Sequence, residues 1–158
     1  MGTLNLKQLN GVCYGKGRFI AIETDGKTAY STDGKSWAPQ AQFPGSDWRS
    51  ICYGNGMFVA VGQNGGSPIK AKIAYSTNGI NWAYTEDDKF STDITYESVC
   101  YGNGKFIAAG GDSFTGRIAY STDGINWKEL PEETLGSMNV LCLNSISYGL
   151  DSDIYGFL

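Results

Sequence analysis

The chain has 158 residues, with 12 Lys and Arg against 16 Asp and Glu, a formal net charge of -4, and no histidine. An acidic chain without a basic run does not suit nucleic acid, whose phosphates need clustered Lys and Arg, and without imidazole neither a His-activated nucleophile nor a His-ligated metal can be built. Twenty-two glycines, four prolines and 13 % aromatic residues fit many short strands joined by tight turns.

The first ten residues lack the basic stretch and continuous apolar core of a secretory leader. No run approaches the ~18 apolar residues of a membrane span, so a soluble chain without a signal peptide or membrane insertion is expected. Within this stretch, Leu4-Asn5-Leu6-Lys7-Gln8-Leu9 parallels Ile125-Asn126-Trp127-Lys128-Glu129-Leu130. Residues 3–9 therefore read as the last strand of a unit whose other strands lie elsewhere.

Three longer units follow, over about 11–38, 48–84 and 96–130. Each opens on the same phrase: Cys13-Tyr14-Gly15-Lys16-Gly17-Arg18-Phe19, then Cys52-Tyr53-Gly54-Asn55-Gly56-Met57-Phe58, then Cys100-Tyr101-Gly102-Asn103-Gly104-Lys105-Phe106. Each closes on Ala-Tyr-Ser-Thr-Asp/Asn-Gly-x-x-Trp, with Trp37, Trp82 and Trp127 spaced 45 residues apart, a period typical of solenoids and propellers. The third unit parses as strand A (Glu97 to Tyr101), a tight Gly-x-Gly hairpin, strand B (Phe106 to Ala109), a variable loop, and strand C (Arg117 to Ser121). An Asp123-Gly124 turn of type I′ is expected to return the chain as strand D through Ile125 to Trp127. Cys13, Cys52 and Cys100 recur at one position on separate sheets, which predicts free core thiols rather than disulfides, and Cys142 is also expected to be free.

Strand B is apolar on both faces, as in Phe58-Val59-Ala60-Val61, so it must be covered from both sides. Sheets stacked around an axis achieve this and a lone meander does not. The expected fold is all-β, a β-propeller of four-stranded antiparallel blades, read as a single propeller domain or propeller fragment over 1–158. Residues 140–158 supply a partial fourth blade, with a strand A at Asn144 to Gly149 and a degenerate strand B at Ile154 to Leu158. Closure is expected through the chain's own termini, through a partner chain in a homo-oligomer, or within a longer polypeptide.

The Ser-Thr-Asp-Gly-x-x-Trp phrase resembles a shortened Asp-box, the bacterial neuraminidase repeat of sialidase-like propellers. Together with Tyr-Gly-Asn-Gly-x-Phe it is similar to blades of phage tail-associated and bacterial surface proteins. In those families the box is structural, which implies turn and packing roles for Asp33, Trp37, Asn78, Trp82, Asp123 and Trp127 and transfers no catalytic residue.

In an up-and-down blade all the repeated turns fall on one end, and the variable connections fall on the other. The variable end is the expected recognition surface, with candidate ligand contacts at Phe43, Asp47, Trp48, Asn64, Phe90, Asp93, Asp112, Phe114 and Arg117. Aromatics beside carboxylates and amides suit a cell-surface glycan or a protein partner, and inter-blade packing is the competing role of each aromatic. Glu86-Asp87-Asp88 reads as a solvated loop, and no metal or cofactor is expected. The sialidase resemblance would imply an arginine triad, but Arg18, Arg49 and Arg117 carry no shared motif. Ser67-Pro68-Ile69-Lys70 has Ser-x-x-Lys spacing without the helix that pairing needs. The expectation is a non-catalytic recognition module, plausible as a phage tail or other virion component. The alternatives are an assembly subunit docking through its incomplete blade and, third, a sialidase-like glycosidase.

Overall fold

The structure, a computed structural model, describes residues 8–40, 47–85, 90–112 and 114–131. Phe43, Glu86, Asp87, Asp88, Cys142, the partial blade at 140–158 and most of the 3–9 strand lie outside the described residues, while Leu9 opens the first strand of the first sheet.

Three four-stranded antiparallel sheets follow one another along the chain, as the all-β propeller reading expects. The first holds β1 (Leu9–Gly15), β2 (Arg18–Glu23), β3 (Thr28–Ser31) and β4 (Ala38–Pro39); the second holds β5 (Asp47–Gly54), β6 (Met57–Gln63), β7 (Ala71–Ser76) and β8 (Ala83–Tyr84). The third holds β9 (Thr95–Gly102), β10 (Lys105–Gly111), β11 (Gly116–Ser121) and β12 (Lys128–Glu129). Strand order within each sheet is the order of the chain, so each is a meander. The three first strands pack side by side, β5 against both β1 and β9, and the sheets fan out from them as blades.

The Gly-x-Gly hairpins are type I′ turns. Gly15 pairs with Arg18, Gly54 with Met57 and Gly102 with Lys105, leaving two-residue loops. Both loop residues have positive φ, 48° and 78° at Lys16 and Gly17, 45° and 77° at Asn55 and Gly56, 46° and 74° at Asn103 and Gly104, as this turn requires.

The Asp-Gly turns differ from expectation. Only the glycines, Gly34, Gly79 and Gly124, take positive φ there, so these are not type I′ loops. Side chains build the turn instead. Ser121 Oγ accepts from Gly124 N at 2.9 Å and donates to Asp123 Oδ1 at 2.9 Å, while the same Oδ1 accepts from the amides of Ile125 (2.9 Å) and Asn126 (2.7 Å). Ser31 with Asp33, and Ser76 with Asn78, repeat the pattern. The loop consumes the stretch assigned to strand D, which shrinks to two residues. In the third sheet these are Lys128 and Glu129, paired with Tyr120 and Ala119.

Each blade closes a core against the next. Ile20 and Ile22 of the first sheet pack with Trp48, Ile51, Phe58, Ala60 and Ala74 of the second. On the other side of the second sheet, Val59, Val61 and Ile73 meet Tyr96, Val99, Phe106 and Trp127 of the third. Alternate β6 residues thus enter different cores, which explains why that strand is apolar throughout. The thiols of Cys13, Cys52 and Cys100 are free, and burial pushes Cys13 up to about 12.

Candidate functional site

The variable end gathers the connections β2–β3, β6–β7 and β10–β11, together with the segments leading into β5 and β9. Several are organised by one side chain each. Asn64 Oδ1 accepts from the amides of Gly66 (3.1 Å) and Lys70 (3.0 Å), and its Nδ2 donates to Pro68 O at 3.2 Å. Asn64 therefore shapes its own loop. Asp112 Oδ1 accepts from the amides of Phe114 (2.7 Å) and Thr115 (2.6 Å), and this donation holds its carboxyl below the usual value. The loop it closes leaves Phe114 82 % exposed.

Neighbouring loops are tied across the blades. Asp93, in a left-handed conformation at φ 61°, donates its amide to Ile69 O at 2.7 Å, and Lys70 bridges Thr92. The β6–β7 loop and the approach to β9 thus form one ridge. Beside it a polar chain links the first strands of two blades. Arg49 Nη2 donates to Asp47 Oδ2 at 2.6 Å, Gln63 Nε2 donates to the same oxygen at 2.8 Å, and Thr95 Oγ1 donates to Gln63 Oε1 at 2.8 Å. Glu97 lies 3.8 Å from Arg49 Nε. Of these residues the sequence reading singled out only Asp47 as a contact. Lining up the three first strands on their cysteines puts Arg49 and Glu97 at one repeat position, with Asp47 and Thr95 two positions earlier.

Burial removes three candidates from the surface. Trp48 is fully buried, with its ring 6.2 Å from Tyr84, because its position on the first strand faces the preceding blade. Phe90 is buried edge-on against Tyr96, with ring centroids 5.5 Å apart. Arg117 is buried on β11. For the two aromatics the packing role prevails. Asp47, Asn64, Asp93, Asp112 and Phe114 remain at least partly accessible.

A tyrosine and a glutamate meet in the third blade, where Tyr96 Oη donates to Glu129 Oε1 at 3.0 Å. The other carboxylate oxygen accepts from Ser91 Oγ (2.6 Å) and Ser91 N (3.2 Å). The Tyr96 side chain is wholly enclosed, and burial, reinforced by the Glu129 charge, drives its hydroxyl well above the usual range. Geometrically the pair fastens the ridge to β12. The three arginines do not converge: Arg18 sits at the repeated-turn end with its guanidinium 5.7 Å from the Tyr30 ring, Arg49 starts the second blade, and Arg117 lies on β11. Among the described residues no group of three His, Cys, Asp or Glu side chains could hold a metal ion.

The repeated-turn end is built differently. Trp127 Nε1 donates to Gly124 O at 3.1 Å, and its ring lies 6.4 Å from Phe106, so it caps its own turn. Trp37 stands in the same relation to Phe19, and Trp82 packs on the core between the first two blades. A cavity of about 240 Å³ opens beside Tyr75, Ser76, Thr77, Asn81, Trp82 and Ala83.

No family model matches the chain, and no curated protein matches it. Solved structures do. The chain is similar to YCF48 bound to a D1 peptide, with TM-score 0.59, 18 % identity, and coverage of 93 % of this chain and 46 % of that one. It is also similar to a subtype N10 neuraminidase-like protein of A/little yellow-shouldered bat/Guatemala/060/2010, with TM-score 0.60, 15 % identity, and coverage of 80 % and 45 %. A putative glycosidase from Bacteroides thetaiotaomicron matches with TM-score 0.53, 16 % identity, and coverage of 87 % and 54 %. These likenesses show a propeller fold, and the chain spans about half the length of the proteins it matches.

Proposed function

We propose that the chain is a non-catalytic recognition module that binds a cell-surface glycan or protein through its variable end, as a component of a phage tail or tail-like particle. The observation that carries this reading is the cross-tied ridge of residues 64–70 and 90–94, with the Phe114 ring exposed on the β10–β11 connection at the same variable end. An exposed aromatic two residues from the fixed Asp112 carboxylate, on a rigid scaffold, suits stacking on a sugar ring or an apolar side chain. A propeller with a similar fold holds a peptide, which supports the protein alternative, and glycosidases among the similar folds support the glycan. The enclosed Tyr96 hydroxyl and the dispersed arginines favour binding without catalysis.

The test is a glycan array and a cell-surface binding assay with Phe114→Ala and with Asp93→Asn, which removes the charge and keeps a residue that tolerates the left-handed backbone. Both residues are exposed, so the expected outcome is at least tenfold weaker binding with an unchanged melting temperature. Binding unaffected by either change would move the site off this ridge, and turnover of a fluorogenic sialoside that is lost in Arg49→Ala would overturn the non-catalytic reading.

A further inference from the structure

Asn is followed by Gly five times in the chain, at Asn10, Asn55, Asn64, Asn78 and Asn103. This is a labile context for an amide, because a glycine nitrogen has no side chain to shield it from the carbonyl carbon of the preceding Asn side chain. Ring closure between the two needs the peptide that joins them to rotate and the Asn side chain to be unheld. The fold decides which of the five have that freedom.

Three are locked. Asn10 Nδ2 donates to Thr24 Oγ1 at 2.8 Å and to Trp48 O at 2.7 Å, and Gly11 lies within β1, opposite Ile22. Asn64 is held by the amides of Gly66 and Lys70 and by the carbonyl of Pro68. Asn78 Oδ1 accepts from the amides of Ile80 (2.8 Å) and Asn81 (2.9 Å), and the attacking atom itself is engaged, since Gly79 N donates to Ser76 Oγ at 2.8 Å.

The other two stand at hairpin tips of the repeated-turn end. Asn55-Gly56 and Asn103-Gly104 are exposed two-residue loops outside the strand ladders. A Cβ on Gly56 or Gly104 would meet nothing within 4 Å, so both tips are open on the glycine side. Asn55 makes one long hydrogen bond, from Nδ2 to Thr122 O at 3.4 Å, and Asn103 makes none among the described residues. The first blade carries Lys16 at this position in the same left-handed conformation, so the turn does not depend on the amide group.

We propose that Asn103, and after it Asn55, are sites of spontaneous deamidation in the folded chain, with Asn10, Asn64 and Asn78 protected. The Gly104 nitrogen attacks Cγ of Asn103: the N–Cγ bond forms, the Cγ–Nδ2 bond breaks, and ammonia leaves with the proton lost by the glycine amide. Water then opens the cyclic imide at either carbonyl. Cleavage from Cγ gives aspartate, which tolerates the left-handed backbone. Cleavage from the main-chain carbonyl carbon gives isoaspartate, whose main chain is one carbon longer, and a two-residue loop has no slack for it. The β9–β10 hairpin therefore frays from its tip in the isoaspartate form. The proposal is independent of the recognition reading, since both sites lie at the end opposite the variable loops.

The test is peptide mapping of the full chain by mass spectrometry after incubation at neutral pH, native and in urea, with fragment spectra locating each converted Asn. In urea the five sites are expected to convert at comparable rates. In the native chain Asn103 should convert at least about tenfold faster than Asn10, Asn64 or Asn78, the factor that one or two net hydrogen bonds supply, with Asn55 between. Asn64 or Asn78 converting as fast as Asn103 overturns the proposal. So does a native chain in which Asn103 stays intact while the urea sample converts. The same ranking in urea as in the native chain would trace the order to neighbouring residues rather than to the fold, and overturns it equally.

Discussion

At the scale of single residues, the Asp-Gly turns show how one oxygen organises a loop. Asp33 Oδ1 takes the amides of Ser36 and Lys35, and donation from Ser36, then Lys35 and the Ser31 hydroxyl, lowers its carboxyl from 3.8 to about 2. At Asp123 burial alone would raise the value, but donation from the Asn126 side chain and from the amides of Asn126 and Ile125 outweighs it, and the carboxyl titrates low. A folded pKa below the unfolded one gives stability that is present above the unfolded value and lost as pH falls through the folded value. The first turn should therefore loosen between about pH 4 and pH 2 and the third at lower pH still, and the second, built on the neutral Asn78, should not. Amide exchange at residues 34–36 and 124–126 against 79–81 across that range would show it, and Asp33→Asn should abolish the pH response of the first turn. Gly54 makes a second residue-scale prediction. A methyl there meets the Tyr101 ring, so Gly54→Ala should cost about 1–3 kcal/mol, the usual penalty of overpacking, as measured by denaturant unfolding. Much at this scale is legible in the chain, because Ser, Asp and Gly at fixed offsets are local chemistry. Asp-Gly is also a type I′ hairpin signal, and only the Ser hydroxyl two residues earlier separates the two turns.

Among the elements, the second strand of each blade carries the packing. Phe106 on β10 is fully buried against Trp127 and the core between the second and third blades. Phe106→Ala should lose about 3–5 kcal/mol, the range for a large core aromatic reduced to alanine. The last strands are so short that side chains must anchor them. Glu129 on β12 receives Tyr96 and both groups of Ser91. Replacing it with Ala leaves a buried Tyr96 hydroxyl without its acceptor, which costs about 1–3 kcal/mol. Faster amide exchange over residues 90–94, with the repeated-turn end unchanged, is the expected signature. Strands A to C could be located from periodicity and turn residues, since a strand between glycine turns has few alternatives. The fourth could not, because the preceding loop takes its length from side-chain hydrogen bonds and leaves only two residues to pair.

Among the described residues of the molecule, two cores share the middle sheet through opposite faces of β6. Phe58 sits in one and Phe106 in the other, so Phe58→Ala and Phe106→Ala should be additive to within about 0.5 kcal/mol, as for residues without shared partners. A double-mutant cycle by denaturant midpoints measures this, and strong coupling would mean that the blades do not behave as nearest-neighbour units. The sequence by itself determined the repeat, the all-β blades, the two-residue Gly-x-Gly hairpins and the separation of repeated turns from variable loops, because each follows from local spacing and backbone preference. Only the tertiary structure decided which aromatics are open. Trp48 and Phe90 read as surface contacts and are core, while Phe114 stands in solvent, and Leu9, Val12 and Tyr14 are exposed at positions that are packed against a neighbour in the other two blades. The physical reason is that burial here comes from the adjacent sheet, and a residue's own strand says which face it occupies but not whether another blade covers that face.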